Sequence, residues 1–221
     1  MNNIREQYNT IVATVTGEIT EKRSRFIATA FHVGSEEEAN TLIAETKKKF
    51  WDARHNCYAY ITGIDNEISR FSDDGEPGGT AGRPILDVLK NRGLTNTLVV
   101  VTRYFGGVLL GTGGLVRAYT DSTLAALDNA AAQGSLVTMC YMQDIKIKTD
   151  YNLSGKVQYI LSGEEKVSIN DIRYEADVEF AVGVQTGYTG GLVDKITDVT
   201  NGRAVIDMGE CGYYPLTNRL T

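Results

Sequence analysis

The chain has 221 residues, a formal net charge of −6 and a hydrophobic fraction of 42%, enough for one large domain or two modest ones with buried cores. The acidic balance argues against a protein that coats nucleic acid through its global charge, and DNA is not expected as a partner. No apolar run approaches the roughly 20 residues that cross a bilayer, and Met-Asn-Asn-Ile-Arg-Glu at the N-terminus lacks the basic-then-apolar pattern of a signal peptide, so no membrane partner is expected.

Residues 10 to 16 are rich in β-branched side chains and predict a strand, with Arg25 to Val33 as its partner. Ser35-Glu-Glu-Glu38 predicts a capping box, starting a helix that buries Ala39, Leu42, Ile43 and Phe50. Lys47, Lys48 and Lys49 suit the negative end of its dipole; they serve either as a solvated helix end or as a phosphate contact. The next segment, Ala53 to Ile61, places Cys57, Ala59 and Ile61 on one face and Asn56, Tyr58 and Tyr60 on the other. Arg54 and His55 stand at its entry, where His55 is either an acid/base or a structural hydrogen-bonder.

Arg70 to Pro84 is too rich in turn formers to be a regular element. Asp73, Asp74 and Glu76 place three carboxylates within four residues. They could hold Mg²⁺ or a sugar or base; equally, they could cap the neighbouring helix or pair with Arg83 and Arg103. Pro84 is expected at the first position of a helix running to about Lys90. Leu94 to Thr102 predicts the central strand.

That strand leads into Val101-Thr-Arg-Tyr-Phe-Gly-Gly-Val-Leu-Leu-Gly-Thr-Gly-Gly-Leu-Val-Arg-Ala-Tyr119. Leu115, Ala118, Tyr119 and Ser122 have helical spacing, so the stretch runs from a buried strand through a glycine-rich turn into a helix. Gly106, Gly107, Gly111, Gly113 and Gly114 either permit close strand–helix packing or leave backbone N–H groups free for an anion, flanked by Arg103 and Arg117. Gly113 in particular is expected at positive φ. Neither a Walker A sequence nor the dinucleotide-binding glycine spacing is present. Residues 70 to 117 carry six Arg and Lys against four acids, a locally positive block in an acidic chain.

The helix is expected to end near Ala132, with the domain boundary at Gln133 to Ser135, giving domains 1–134 and 135–221. The second half reads as a strand from Leu136 to Lys148 and a helix carrying Leu153, Val157, Ile160 and Leu161. Strands at 167–172 and around 178–184 follow, then a helix at 191–199 and a strand at 204–213. This is the ferredoxin-like βαββαβ order. Cys57, Cys140 and Cys211 are scattered and odd in number, which favours free thiols in a reducing cytoplasm. With only His32 and His55 as histidines, neither a metal site nor a cofactor is expected.

Ala53-Arg-His-Asn-Cys-Tyr-Ala-Tyr60, Ser72-Asp-Asp-Gly-Glu-Pro-Gly-Gly-Thr-Ala-Gly-Arg-Pro84 and Val101 to Tyr119 together resemble the three signature segments of the Impact/YigZ family. The resemblance implies an α+β protein of two domains. The first would be a ribosomal protein S5 domain 2-like α/β sandwich and the second a small ferredoxin-like domain; the two resemble the fourth and fifth domains of elongation factor G. Eukaryotic members are associated with control of translation initiation. The resemblance marks Arg54, His55, Asp73, Asp74, Glu76, Arg103, Gly106, Gly107, Gly111, Gly113, Gly114 and Arg117 as a shared surface.

The leading expectation is a cytoplasmic, non-enzymatic protein that binds RNA or the ribosome and regulates translation. Loop N–H groups and arginines would hold phosphate, with Tyr58, Tyr60 or Tyr104 stacking on a base. The alternatives are an enzyme acting on a phosphorylated or nucleotide-like small molecule through Asp73, Asp74 or Glu76, and a protein-interaction adaptor.

Overall fold

A computed structural model describes residues 5–64 and 67–216. The chain forms two compact units, one spanning Tyr8–Val137 and the other Thr138 onward together with Arg5–Gln7.

In the first unit, β2 (Val15–Glu21), β3 (Ser24–His32), β4 (His55–Thr62), β5 (Ile68–Ser72) and β6 (Thr97–Tyr104) form one antiparallel sheet in the order β2-β3-β6-β4-β5. Alternation along the two central strands gives the sheet two buried faces. Leu98, Val100 and Tyr60 meet Ala39 and Ile43 of α1 (Glu36–Lys49) on one side. On the other, Val99, Val101, Cys57 and Ala59 meet α2 (Gly82–Asn91) and α3 (Gly111–Ala132) through Ile85, Leu89, Leu115 and Tyr119. Helices thus cover both faces of the sheet, an α/β sandwich.

Four expectations are corrected here. The β-branched run 10–16 is divided between β1 (Gln7–Ile11) and β2, because the chain bends at residues 12–14, where Val12 N–H donates to the Ser135 carbonyl. The segment after residue 67 opens with an edge strand, β5, held by β4 from Tyr58 to Thr62, so its first residues are not irregular. Pro84 is the third residue of α2, whose first turn is capped by a side chain from outside the helix, described below. The central strand begins at Thr97, after a turn in which Asn96 adopts a φ of 51°.

The second unit contains β7 (Leu136–Thr149), α4 (Tyr151–Gly163), β8 (Val167–Tyr174), β9 (Val178–Gln185), α5 (Thr189–Thr200) and β10 (Val205–Pro215). Its strands run β10-β7-β9-β8, all antiparallel. This is ferredoxin-like topology. Ile145, Ile147, Phe180 and Val182 pack under Val157, Leu161, Leu192 and Ile196 of the two helices. The Asp150 side chain caps α4 by accepting from Leu153 N–H at 3.1 Å.

Candidate functional site

The three acidic side chains are all engaged within the first unit. Asp73 Oδ1 accepts from the N–H groups of Ala81 and Gly82 at 3.0 and 2.8 Å, and its Oδ2 accepts from Gly79 N–H at 2.8 Å. A carboxylate at this end of α2 satisfies donors that the helix leaves open and complements its dipole. Asp74, at φ 42°, accepts from Lys47 Nζ at 2.6 Å and from Asn56 N–H at 2.7 Å. It thereby ties the C-terminal turn of α1 to the start of β4, giving Lys47 a specific partner. Arg83 pairs with Asp87 one turn along α2, not with this segment.

Glu76 is the centre of a buried polar cluster. Its Oε1 accepts from Arg103 Nη1 at 2.5 Å and from the Tyr119 hydroxyl at 2.8 Å, and His55 Nε2 stands 3.8 Å away. His55 Nδ1 is 2.8 Å from the Asp74 carbonyl, which can only accept, so that nitrogen carries the proton. The Cys57 thiol lies between the Asp73 carbonyl at 2.9 Å and the Tyr119 hydroxyl at 3.3 Å. Burial pushes both the Cys57 thiol and the Tyr119 phenol well above their usual ranges, so neither supplies an anionic nucleophile near neutral pH. This cluster joins β4, the 73–82 segment, β6 and α3, with its acid/base groups directed at one another.

Arg103 as a phosphate contact beside the glycine turn is corrected: it is buried and takes the pairing with the acidic segment that was the other expectation. The pleat explains this correction. Val99, Val101 and Arg103 share the face toward α2 and α3, which brings the guanidinium to Glu76. A second correction concerns the stacking candidates. Tyr60 is buried against Tyr58, with ring centroids 6.3 Å apart, and the Tyr104 hydroxyl donates to Asp52 at 2.9 Å.

The glycines have distinct roles. Gly106 approaches the turn between β2 and β3 so closely that a Cβ there would stand 2.1 Å from the Arg23 carbonyl carbon, and its N–H donates to Ser24 Oγ at 3.1 Å. Gly107 and Gly111 require positive φ, at 83° and 74°. Gly113, expected at positive φ, is helical and open; Gly114 faces Leu110 within α3. The N-terminus of α3 has no side-chain cap, and Gly111, Thr112 and Gly113 are exposed.

Arg54 and Arg117 are exposed, and Arg54 lies over the Phe105 ring at 5.7 Å. The structure therefore separates the residues singled out in the sequence. Buried Glu76 and Arg103 and half-buried His55, Asp73 and Asp74 make the internal support, while Arg54, Arg117 and most of the glycine loop make the surface. Sequence reasoning missed Lys22, Arg23, Ser24 and Phe105 near that loop. Lys22 and Arg23 form a two-residue hairpin turn at φ 44° and 68°, without the Asn-Gly or Asp-Gly that signals one. Among the described residues no group of His, Cys, Asp and Glu gathers as a metal site, and no helix is long and apolar enough to cross a membrane.

Fold and surface together define a two-unit α+β protein with an exposed glycine loop on a sandwich whose polar support is internal. The Impact N-terminal domain matches residues 22–127 and a domain of unknown function, DUF1949, matches residues 147–203. IMPACT family member YvyE of Bacillus subtilis is 40% identical over 93% of both chains. IMPACT family member YigZ of Escherichia coli is 34% identical over 86% of this chain and 90% of its own. A crystal structure described as that of a hypothetical protein aligns with a TM-score of 0.59 at 31% identity, over 91% of this chain and 97% of that one. The chain belongs to the IMPACT family.

Proposed function

We propose that this chain is a cytoplasmic, non-enzymatic binding protein that engages RNA or the ribosome through the glycine-loop face of its first unit and thereby regulates translation. The observation that carries this reading is the division of labour around Glu76. Glu76 is held by Arg103 and Tyr119, Asp73 and Asp74 by backbone N–H groups and Lys47, and His55 and Cys57 face backbone carbonyls, whereas Arg54, Arg117 and the uncapped start of α3 face solvent. Lys22 and Arg23 add exposed positive charge from the turn against Gly106. Basic groups around free backbone donors suit phosphate, and such contacts position a nucleic acid without reading its sequence. The association of eukaryotic family members with control of translation initiation suggests where this binding would act.

The test is co-sedimentation of the purified chain with ribosomes across a salt series. Binding should weaken as salt rises, and Arg54→Ala and Arg117→Ala should each lower the salt slope by about one unit if each holds one phosphate. Salt-independent binding, or no binding at low salt, would reject the reading.

A further inference from the structure

We infer that the glycine-loop face takes unpaired nucleotides rather than duplex RNA, with one base stacked on the layer made by Arg54 and Phe105. The inference rests on the proposed function, and it deepens that reading by naming the form of nucleic acid bound.

Phosphate contacts alone explain the basic groups of this face, but not its apolar ones. Phe105 is 39% exposed and Leu109 is 82% exposed, with Val108 between the glycines also open to solvent. Apolar side chains in such a loop carry a solvation cost that a phosphate-tracking surface has no reason to bear. Duplex RNA offers them nothing, because its bases are stacked inside and it presents phosphates and 2′-hydroxyls. A single strand offers the faces of its bases.

The geometry around Phe105 suits such a face. The guanidinium of Arg103, fixed by Glu76, lies 5.6 Å from the Phe105 ring and helps hold it from within. The exposed guanidinium of Arg54 lies 5.7 Å from the same ring. Arg54 has no ion-pair partner among the described residues, so its planar group is free to be covered by a base or to follow a phosphate. Gly106 sets Phe105 in place by packing on the backbone of Arg23, which brings the charged Lys22-Arg23 turn beside it. Positive charge for the backbone and a planar layer for a base are the two elements of single-strand binding surfaces. Net charge elsewhere is negative, so this complementarity is local to the face.

The experiment measures binding of the full chain to labelled oligouridylate of about 12 nucleotides, and to the same strand annealed to its complement, by anisotropy. Parallel measurements use Phe105→Ala and Phe105→Trp, with thermal melts to confirm folding. The parent should prefer the single strand. Phe105→Ala should weaken single-strand binding about tenfold without flattening the salt slope, and Phe105→Trp should retain it. Equal affinity for single strand and duplex, unchanged in Phe105→Ala, overturns the inference while leaving the charge-based reading intact. If neither oligonucleotide nor ribosomes bind at low salt, the proposed function itself fails. If Phe105→Trp binds as poorly as Phe105→Ala while folded, stacking is not the source of the preference and the inference is overturned.

Discussion

Glu76 and Arg103 meet at 2.5 Å with only 4% and 6% of their side chains exposed, so the arginine nearest the glycine turn is an internal strut. A buried pair of this kind seldom adds net stability over apolar residues of similar shape, but breaking it leaves one charge stranded. Glu76→Ala or Arg103→Ala should each destabilise the first unit by about 3–5 kcal/mol, read as a lower urea midpoint. The double replacement Glu76→Leu/Arg103→Met should recover much of that loss. A single variant as stable as the parent would show that water reaches the cluster.

The sequence made the layers legible because alternation in 57–61 and 98–101 and helical spacing in 115–122 each report a buried face. The same alternation extends from Val99 and Val101 to Arg103, and from Cys57 back to His55, so both inward orientations were available to a pattern reading. A charged residue beside a glycine turn suggested a surface instead. The roles of the three carboxylates were left open because they depend on long-range partners. Lys47, Asn56 N–H and the start of α2 come together only through folding. β5 was hidden because it is short, is fixed by pairing with β4, and runs directly into the turn formers that begin at Asp73.

The glycines divide into those the fold needs and those it tolerates losing. At Gly106 a methyl group would meet backbone atoms of Arg23 and Ser24, which cannot swing aside as a side chain can. Gly106→Ala should therefore shift the loop and lower the melting temperature markedly. Gly113 lies in the first turn of α3 with nothing near its absent Cβ, so Gly113→Ala should be neutral or stabilise by up to about 1 kcal/mol. Thermal melts of the two variants should separate clearly. Equal melting points would contradict the close approach at Gly106.

Thiol reactivity offers a check on burial. Cys211 is exposed, whereas Cys57 is enclosed and its thiol is held in the protonated form by burial. In the native protein near neutral pH, a thiol reagent should label Cys211 quickly and Cys57 only on unfolding, with Cys140 also protected. Peptide mapping after a short exposure would show this. Rapid labelling of Cys57 would mean that the Glu76 cluster opens readily.

The second unit carries a pH-dependent contact. Lys195 Nζ and the Tyr188 hydroxyl, each 2.6 Å from the Glu164 carboxylate, hold it below its usual range, with the lysine as the larger influence. A carboxylate depressed in the folded state adds stability above its unfolded pKa and loses it as pH falls through the folded value. Stability of this unit should thus decline on acidification below the ordinary carboxylate range, and Glu164→Gln should reduce that decline. Solvent screens the pair, so the effect should be small. Denaturant midpoints collected across a pH series would measure it, and an identical acid dependence in Glu164→Gln would remove Glu164 as a contributor.

The final prediction separates support from surface among three arginines that sequence alone placed together. Arg103→Ala should lower stability, because its guanidinium faces Glu76, and should weaken single-strand binding through a less firmly held Phe105 without flattening the salt slope. Arg54→Ala and Arg117→Ala should melt like the parent, since neither has an ion-pair partner among the described residues and both are exposed. Each should nevertheless bind more weakly at low salt, with the difference from the parent shrinking as salt rises, because the lost term is counterion release. Arg54 has a further role over Phe105, so its replacement should also weaken single-strand preference, whereas loss of Arg117 should weaken single strand and duplex alike. Melting temperature, salt slope and strand preference together give each arginine a different signature. If Arg54→Ala and Arg117→Ala bind like the parent at every salt concentration, the glycine loop is a packing device and the binding surface lies elsewhere.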